Sequence, residues 1–255
     1  MALPDIIKEL LENGTHFGHL SKHWNPKMKK FIFGKKKNVY IVDLEKTAKK
    51  IQEAKDFLKQ KVKNKEKVLF VATKKQLKEA IKELAISCSM PYVAERWVGG
   101  LLTNFSTIRS RVNKYLELLD KREKGEFNKR VKKEVVKLNR DIERMEKSYS
   151  GITSLDSLPD CIYVIDPKRE TACVREAVKL SIPIVALIDT DANPEIIDYP
   201  IPGNDDSIKS AKYVTACLVE AINEGLKENK EESKNQEGPT EESVSEEIEK
   251  TEENV

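Results

Sequence analysis

Between Glu12 and Asp43 the chain has no acidic residue, thirty positions in a row, although 35% of its 255 residues are charged. A soluble surface normally mixes both signs, so a gap of this length keeps carboxylates away from something anionic. No run of eighteen apolar residues occurs, and the start "MALPDIIKELLENG" carries acids and has no apolar core ahead of a cleavage site. Neither a membrane span nor a signal peptide is expected, and a cytoplasmic location follows. Cysteine is scarce: Cys88, Cys161, Cys173 and Cys217 are far apart, form no CxxC pair and lie among apolar neighbours. Reduced, buried thiols are expected rather than disulfides or metal ligands. The sequence also lacks GxxxxGK[ST], GxGxxG after a strand, GxSxG and HExxH. Phosphate-cradling loops, dinucleotide fingerprints, nucleophile elbows and zincin sites are therefore unsupported, and no catalytic step is expected.

What is present is asymmetric. The net charge is +3, but Lys227 to Val255 holds eleven Glu and four Lys, a net of −7 that leaves +10 on residues 1–226. An acidic, disordered tail at 227–255 and a basic folded body are expected, and a basic body suits a polyanionic partner. With 39% hydrophobic residues the body is long enough to bury a core.

Short apolar runs at 67–73, 92–98, 161–166 and 182–189 read as strands covered on both faces. Helical patterns lie between them, at 45–62 with Ala48, Ile51, Ala54 and Leu58 on one face, and at 75–87, 170–180 and 207–226. The alternation predicts an α/β fold, a parallel sheet flanked by helices. Residues 106–150 break the rhythm: Ile108, Val112, Tyr115 and Leu119, then Val131, Val135, Leu138, Ile142, Met145 and Tyr149, follow a 4, 3, 4 spacing. Two heptad seams joined near Gly125 predict an antiparallel coiled-coil hairpin inserted between two parts of the body, 1–105 and 151–226. Two amphipathic helices lying flat on the body are the alternative.

Three constellations carry chemistry. In the acid-free stretch Lys22, Lys27, Lys29, Lys30, Lys35, Lys36 and Lys37 are interleaved with Trp24, Phe31, Phe33 and Tyr40. Ammonium groups can meet phosphates while rings pack beneath them or stack on bases, a pattern that reads as RNA binding. A turn at Asn25–Pro26 and a hairpin around "GKKKN" would present three lysines as a phosphate probe; a solvated lysine face over core aromatics is the other reading. Lys74 and Lys75 add charge after the first strand of the body. The second constellation, "ERWVGGLLTNFSTIRSR", offers Arg96 and Arg109 as guanidinium forks and Thr103 and Asn104 as polar contacts for sugar and phosphate, or as helix caps. In the third, "PIPGNDDSIKS", Asp205 and Asp206 either cap a helix or join Asp189 and His16 or His19 around a divalent ion, zinc or magnesium. An α/β enzyme using these groups for phosphoryl chemistry is the competing class.

In this order and spacing, "HFGHLSKHWNPKMKKFIFGKKKNVYIVDLEKT", "LFVATKK", "RWVGGLLTNFSTI", "LPDCIYVIDP", "IPIVALIDTDANP" and "DYPIPGNDDSIKS" resemble the bacterial type of small-subunit ribosomal protein two, from about Leu3 to Leu226. The resemblance implies a flavodoxin-like domain with a protruding coiled coil, seated on the small subunit. It would touch ribosomal RNA and neighbouring small-subunit proteins and help dock the large first ribosomal protein that recruits messenger RNA. It marks Trp24, Asn25, Lys27, Met28 and Lys29, and Arg96, Trp97, Gly99, Gly100, Thr103 and Asn104, as signature positions. It also implies an ion at His16 or His19 with Asp189, Asp205 and Asp206 in some members. Ser181 and Asp191 depart from the pattern, the latter beside that ion site.

Overall fold

The computed structural model describes residues 3–236. Five strands form a parallel sheet: β4 (Val68–Val71), β5 (Tyr92–Val93), β6 (Cys161–Ile165), β7 (Ile184–Ile188) and β8 (Tyr199–Pro202), in the order β5-β4-β6-β7-β8. That order is the flavodoxin-like one, in which the chain lays one strand to one side of β4 and the rest to the other. Successive strand residues face opposite sides, so Leu69, Val71, Ile162 and Val164 enter one buried cluster while Val68, Phe70, Cys161 and Tyr163 enter the other. Three helices cover the second cluster: α2 (Leu44–Lys63), α3 (Lys78–Ser87) and α7 (Ile208–Gln236). The first is covered by α6 (Thr171–Lys179) and by the inserted helices. Within the sheet's core the Tyr163 and Thr215 hydroxyls pair at 3.0 Å.

A second, antiparallel sheet of three strands precedes this body, after α1 (Leu3–Glu12). Strand β3 (Val39–Val42) lies between β1 (Phe17–Leu20) and β2 (Ile32–Lys36). The β2–β3 turn pairs Lys36 with Val39, and Lys37 and Asn38 take φ of 47° and 65°. Both central residues are left-handed, the two-residue geometry that matches strand twist.

Residues 106–150 contribute α4 (Phe105–Glu123) and α5 (Lys132–Tyr149), which pack on each other and on the short turns beside them. Ile108, Val112, Tyr115, Ile142 and Tyr149 are buried, with Leu119, Val135, Leu138 and Met145 packed against them. Val131 is the exception, 70% exposed ahead of α5 rather than in the seam. At the base of the pair Arg109 donates to the carbonyls of Thr153 (2.8 Å) and Leu155 (3.2 Å).

Other differences have local causes. The strand expected at 92–98 stops at Val93, and Trp97 beyond it donates to the half-buried Glu176 carboxylate instead. Strand β8, which no expected strand covers, carries Pro200 and Pro202 and is an edge strand, where a missing amide donor is tolerated. The last helix runs ten residues past Leu226, so 227–236 is helical rather than tail; residues 237–255 lie outside the described residues. All four cysteines are free, three of them buried and Cys217 half-buried.

Candidate nucleic-acid interface

The carboxyl ends of the parallel strands gather charge. Lys74 follows β4, Asp166 follows β6, Asp189 follows β7 and Asp205 follows β8, around the point where the strand order reverses. Lys74 Nζ sits 2.8 Å from Asp166 Oδ2, 2.7 Å from Asp205 Oδ1 and 2.8 Å from Asp206 Oδ1, and its side chain is 11% exposed. Burial alone would lower its pKa, but the surrounding acids, Asp205 foremost, hold it above the usual lysine range. Burial and the nearby Asp166 push the Asp205 carboxyl up, against the pull of Lys74. Lys74 thus serves as an internal counter-ion to these acids.

His19 joins this cluster from β1. Its Nδ1 is 2.7 Å from Asp189 Oδ2 and its Nε2 is 3.5 Å from Asp206 Oδ2. The hydrogen bond to Asp189 outweighs burial and raises the imidazole to about 9, so it is a cation at neutral pH. Thr190 ties the same strand down: its Oγ1 accepts from His19 N at 2.9 Å, and its carbonyl from Asn25 N at 2.8 Å. His16 does not take part. It lies in the turn ahead of β1, where its ring sits 4.0 Å from that of Phe17 instead. Lys168 pairs with Asp191 at 2.8 Å. Among the described residues no three His, Cys, Asp or Glu side chains converge as an ion-binding group. Of the set expected around an ion, His19, Asp189, Asp205 and Asp206 come together with Lys74 among them, and His16 lies elsewhere.

The glycine-rich loop is also organised around an internal charge. Glu176, on α6, accepts five hydrogen bonds from it. Oε1 takes the Trp97 indole N–H (3.0 Å) and Gly100 N (2.9 Å); Oε2 takes Leu102 N (3.1 Å), Thr103 N (3.0 Å) and Thr103 Oγ1 (3.0 Å). Burial would raise this carboxyl, but these donors, Trp97 first, hold it below the usual range. Gly100 has φ +84°, which lets its amide point inward. The loop is an anion nest, and its anion is the chain's own carboxylate. Arg109 is likewise engaged, with Asp156 at 2.6 Å besides the two carbonyls. Asn104 occupies the cap position of α4, yet its Oδ1 accepts from Thr107 Oγ1 at 2.8 Å rather than from backbone. No sequence signal marked Glu176: it is one glutamate on an amphipathic helix until the fold brings the loop over it.

What remains available is the lysine segment with Lys75 and Arg96. Asn25 caps a 3-10 turn at Pro26–Phe31, accepting from Lys27 N at 3.0 Å, while Met28 and Phe31 anchor the turn in the core. That turn leaves Lys27, Lys29 and Lys30 outside, with Lys27 paired to Glu195. Half-buried Trp24 packs on Tyr40 with ring centroids 4.9 Å apart, and Lys30 Nζ lies 5.1 Å from the Phe31 centroid. Lys22, Lys29, Lys35, Lys36, Lys37, Lys75 and Arg96 are exposed and have no ion pair among the described residues. No helix of the described residues is long and apolar enough to cross a membrane.

The fold is a flavodoxin-like α/β domain whose strand-end acids are paired with its own cations and which carries an acid-free lysine hairpin. The family described as Ribosomal protein S2 matches residues 10–225, and the chain belongs to that family. It is 48% identical over 219 residues to "Small ribosomal subunit protein uS2" of Coprothermobacter proteolyticus, covering 86% of this chain and 82% of the relative. Proteins of the same name from Dictyoglomus thermophilum and Dictyoglomus turgidum are each 47% identical over 220 residues, 86% of this chain and 89% of theirs.

Proposed function

We propose that this chain is a structural protein of the small ribosomal subunit that binds ribosomal RNA through its basic face and performs no catalytic step. The observation that carries the reading is the β2–β3 hairpin: Lys35, Lys36 and Lys37 project from it, unpaired, within thirty positions free of acid. Lys22, Lys29, Lys30, Lys75 and Arg96 extend the face, Lys27 can exchange Glu195 for phosphate, and Trp24, Asn25, Thr103 and Asn104 frame it. Such contacts neutralise phosphates, so affinity falls with salt and depends little on base identity.

Residues 1–105 and 151–226 act as the RNA-binding body, 106–150 as a coiled-coil hairpin and the acidic 227–255 as an appendage, in the cytoplasmic ribosome with no membrane partner. Beside the basic face, Leu11, Phe17, Leu20 and Phe33 are at least half exposed. An apolar surface of this kind supports the docking of neighbouring small-subunit proteins, including the large messenger-RNA-binding first protein. The phosphoryl-enzyme reading loses its basis, because the acids it needs are bonded to Lys74 and His19.

The test is sedimentation of a lysate through sucrose at moderate salt, with and without Lys35→Glu, Lys36→Glu and Lys37→Glu. The wild-type chain is expected with the small subunit and released by a high-salt wash, and the triple variant is expected at the top of the gradient. Normal occupancy by the reversed-charge variant would overturn the assignment of this surface.

A further inference from the structure

The outer face of α5 has a charge pattern that the fold does not use. Lys133, Lys137, Arg140, Arg144 and Lys147 are spaced 4, 3, 4, 3, the period of the apolar seam, but at 100° per residue they lie roughly 160° around the helix from it. All five are exposed. Four have no ion pair among the described residues, and the fifth, Arg144, meets only Asp141 in a pair whose arginine is 78% exposed, a contact of little worth. The acids of the helix, Glu134, Asp141, Glu143 and Glu146, all fall about 80° or more from the centre of the stripe. A solvated helix normally intersperses the two signs as i,i+4 pairs, which stabilise it by a few tenths of a kcal/mol each. On α5 Asp141 and Glu143 stand at i,i+4 from Lys137 and Lys147, yet the only ion pair among the described residues of the helix is Asp141–Arg144, and along the stripe like charges stand next to one another. The partner helix α4 shows no such sorting: its corresponding face carries Ser106, Ser110, Lys114, Glu117 and Lys121.

Unbalanced repulsion of this kind points to an external polyanion. The stripe runs about 21 Å along the helix, at 1.5 Å per residue, as a straight row of long cationic side chains. A shallow depression on the same face, lined by five cations from Lys132 to Arg144 with Val136 and one acid, Asp141, adds the half-exposed Val136 as an apolar floor suited to sugar edges. A rigid row without hydrogen-bonding side chains other than cations reads backbone, not bases, which is how double-stranded RNA is bound. We infer that the outer face of α5 is a second RNA-backbone site, gripping phosphates of a ribosomal RNA helix independently of the β2–β3 hairpin. The inference rests on the RNA-binding reading above and adds to it a separate element and a separate set of residues.

The test compares full-length chains for binding to a transcript of small-subunit ribosomal RNA across a salt series. The variants are K133Q/K137Q/R140Q/R144Q/K147Q, the smaller K137Q/R140Q, the charge-keeping K133R/K137R/K147R, and the hairpin variant K35Q/K36Q/K37Q. Each phosphate contact contributes about 0.9 to the slope of log affinity against log salt. The five-site variant should therefore have a slope shallower by about four to five and bind at least tenfold more weakly at about 0.1 M salt. The two-site variant should lose about two, and the arginine variant nothing. Thermal unfolding at the wild-type temperature shows that the changes act on binding; should the five-site variant fold poorly, the two-site variant decides. Wild-type slope and affinity in the stripe variants, with weakened K35Q/K36Q/K37Q, would overturn the α5 inference alone, whereas no effect in any variant would overturn RNA binding as well. Unchanged affinity for the transcript with failure to join small subunits would put an acidic protein on α5 and also overturn the proposal.

Discussion

The Trp97 indole donates to Glu176 Oε1 at 3.0 Å, and the same carboxylate takes three backbone amides and a hydroxyl from the loop that follows. One side chain on α6 therefore fixes the path of residues 97–103. Glu176→Gln replaces an acceptor-only group by one whose amide nitrogen meets N–H donors. It is expected to destabilise the chain by about 1 to 3 kcal/mol in urea unfolding near pH 7, with Glu176→Asp intermediate. Because the folded-state carboxyl is held low, its stabilisation is present above the unfolded-state value and fades as pH falls through the folded one. The wild-type and Glu176→Gln curves should converge in acid; a difference that stays constant down to about pH 2.5 would contradict the nest.

Lys74 sits among three carboxylates, one of them the nearly inaccessible Asp205. Removing the cation leaves buried negative charge without a partner, which costs roughly 3 kcal/mol or more. Lys74→Met should lower the unfolding free energy by that order, and adding Asp205→Asn should recover part of it. An unaltered melting temperature in the single variant would refute the counter-ion role.

His16 and His19 should titrate far apart. Burial lowers His16 below its ordinary value, whereas Asp189 raises His19 to about 9. A group raised on folding stabilises fully below its unfolded value, about 6.5, and the gain is lost as pH climbs through the folded one. Histidine NMR titration should show a midpoint near 9 for His19, and the stability lost in His19→Gln should be larger at pH 6 than at pH 10. Equal losses at both would remove the Asp189 pairing.

Strand β1 passes so near β7's end that a Cβ on Gly18 would lie 2.6 Å from Thr190 Cγ2 and 3.1 Å from the Tyr40 carbonyl. Gly18→Ala must shift β1 and with it the His19 contact. A loss of about 1 to 3 kcal/mol and a fall in the His19 midpoint are expected together. A stable variant with an unchanged His19 titration would show that the strand can move freely.

Much of the fold was legible because local periodicity and global packing agree. The β-rich runs of β4, β6 and β7, the stripe Ala48, Ile51, Ala54 and Leu58 on α2, and the seam from Ile108 to Tyr149 are spaced by the geometry of the elements they form. Strand β8 escaped notice because its prolines are acceptable only at an edge, and edge position is not a local property. The short β5 was overestimated because Trp97 looks like a strand residue until Glu176 claims it.

By itself the sequence determined the alternation of strand and helix, the acid-free lysine segment and the sorting of charge, since all three are fixed by residue order along one chain. Only the tertiary structure decided which polar groups are free. Lys74 and Arg109 resemble Lys35 and Arg96 in sequence, and Thr103 any exposed threonine, but Asp205, Asp156 and Glu176 come from 47 to 131 positions away to engage them. A charge folded against its own counter-charge is withdrawn from any partner, and sequence spacing carries no record of that meeting.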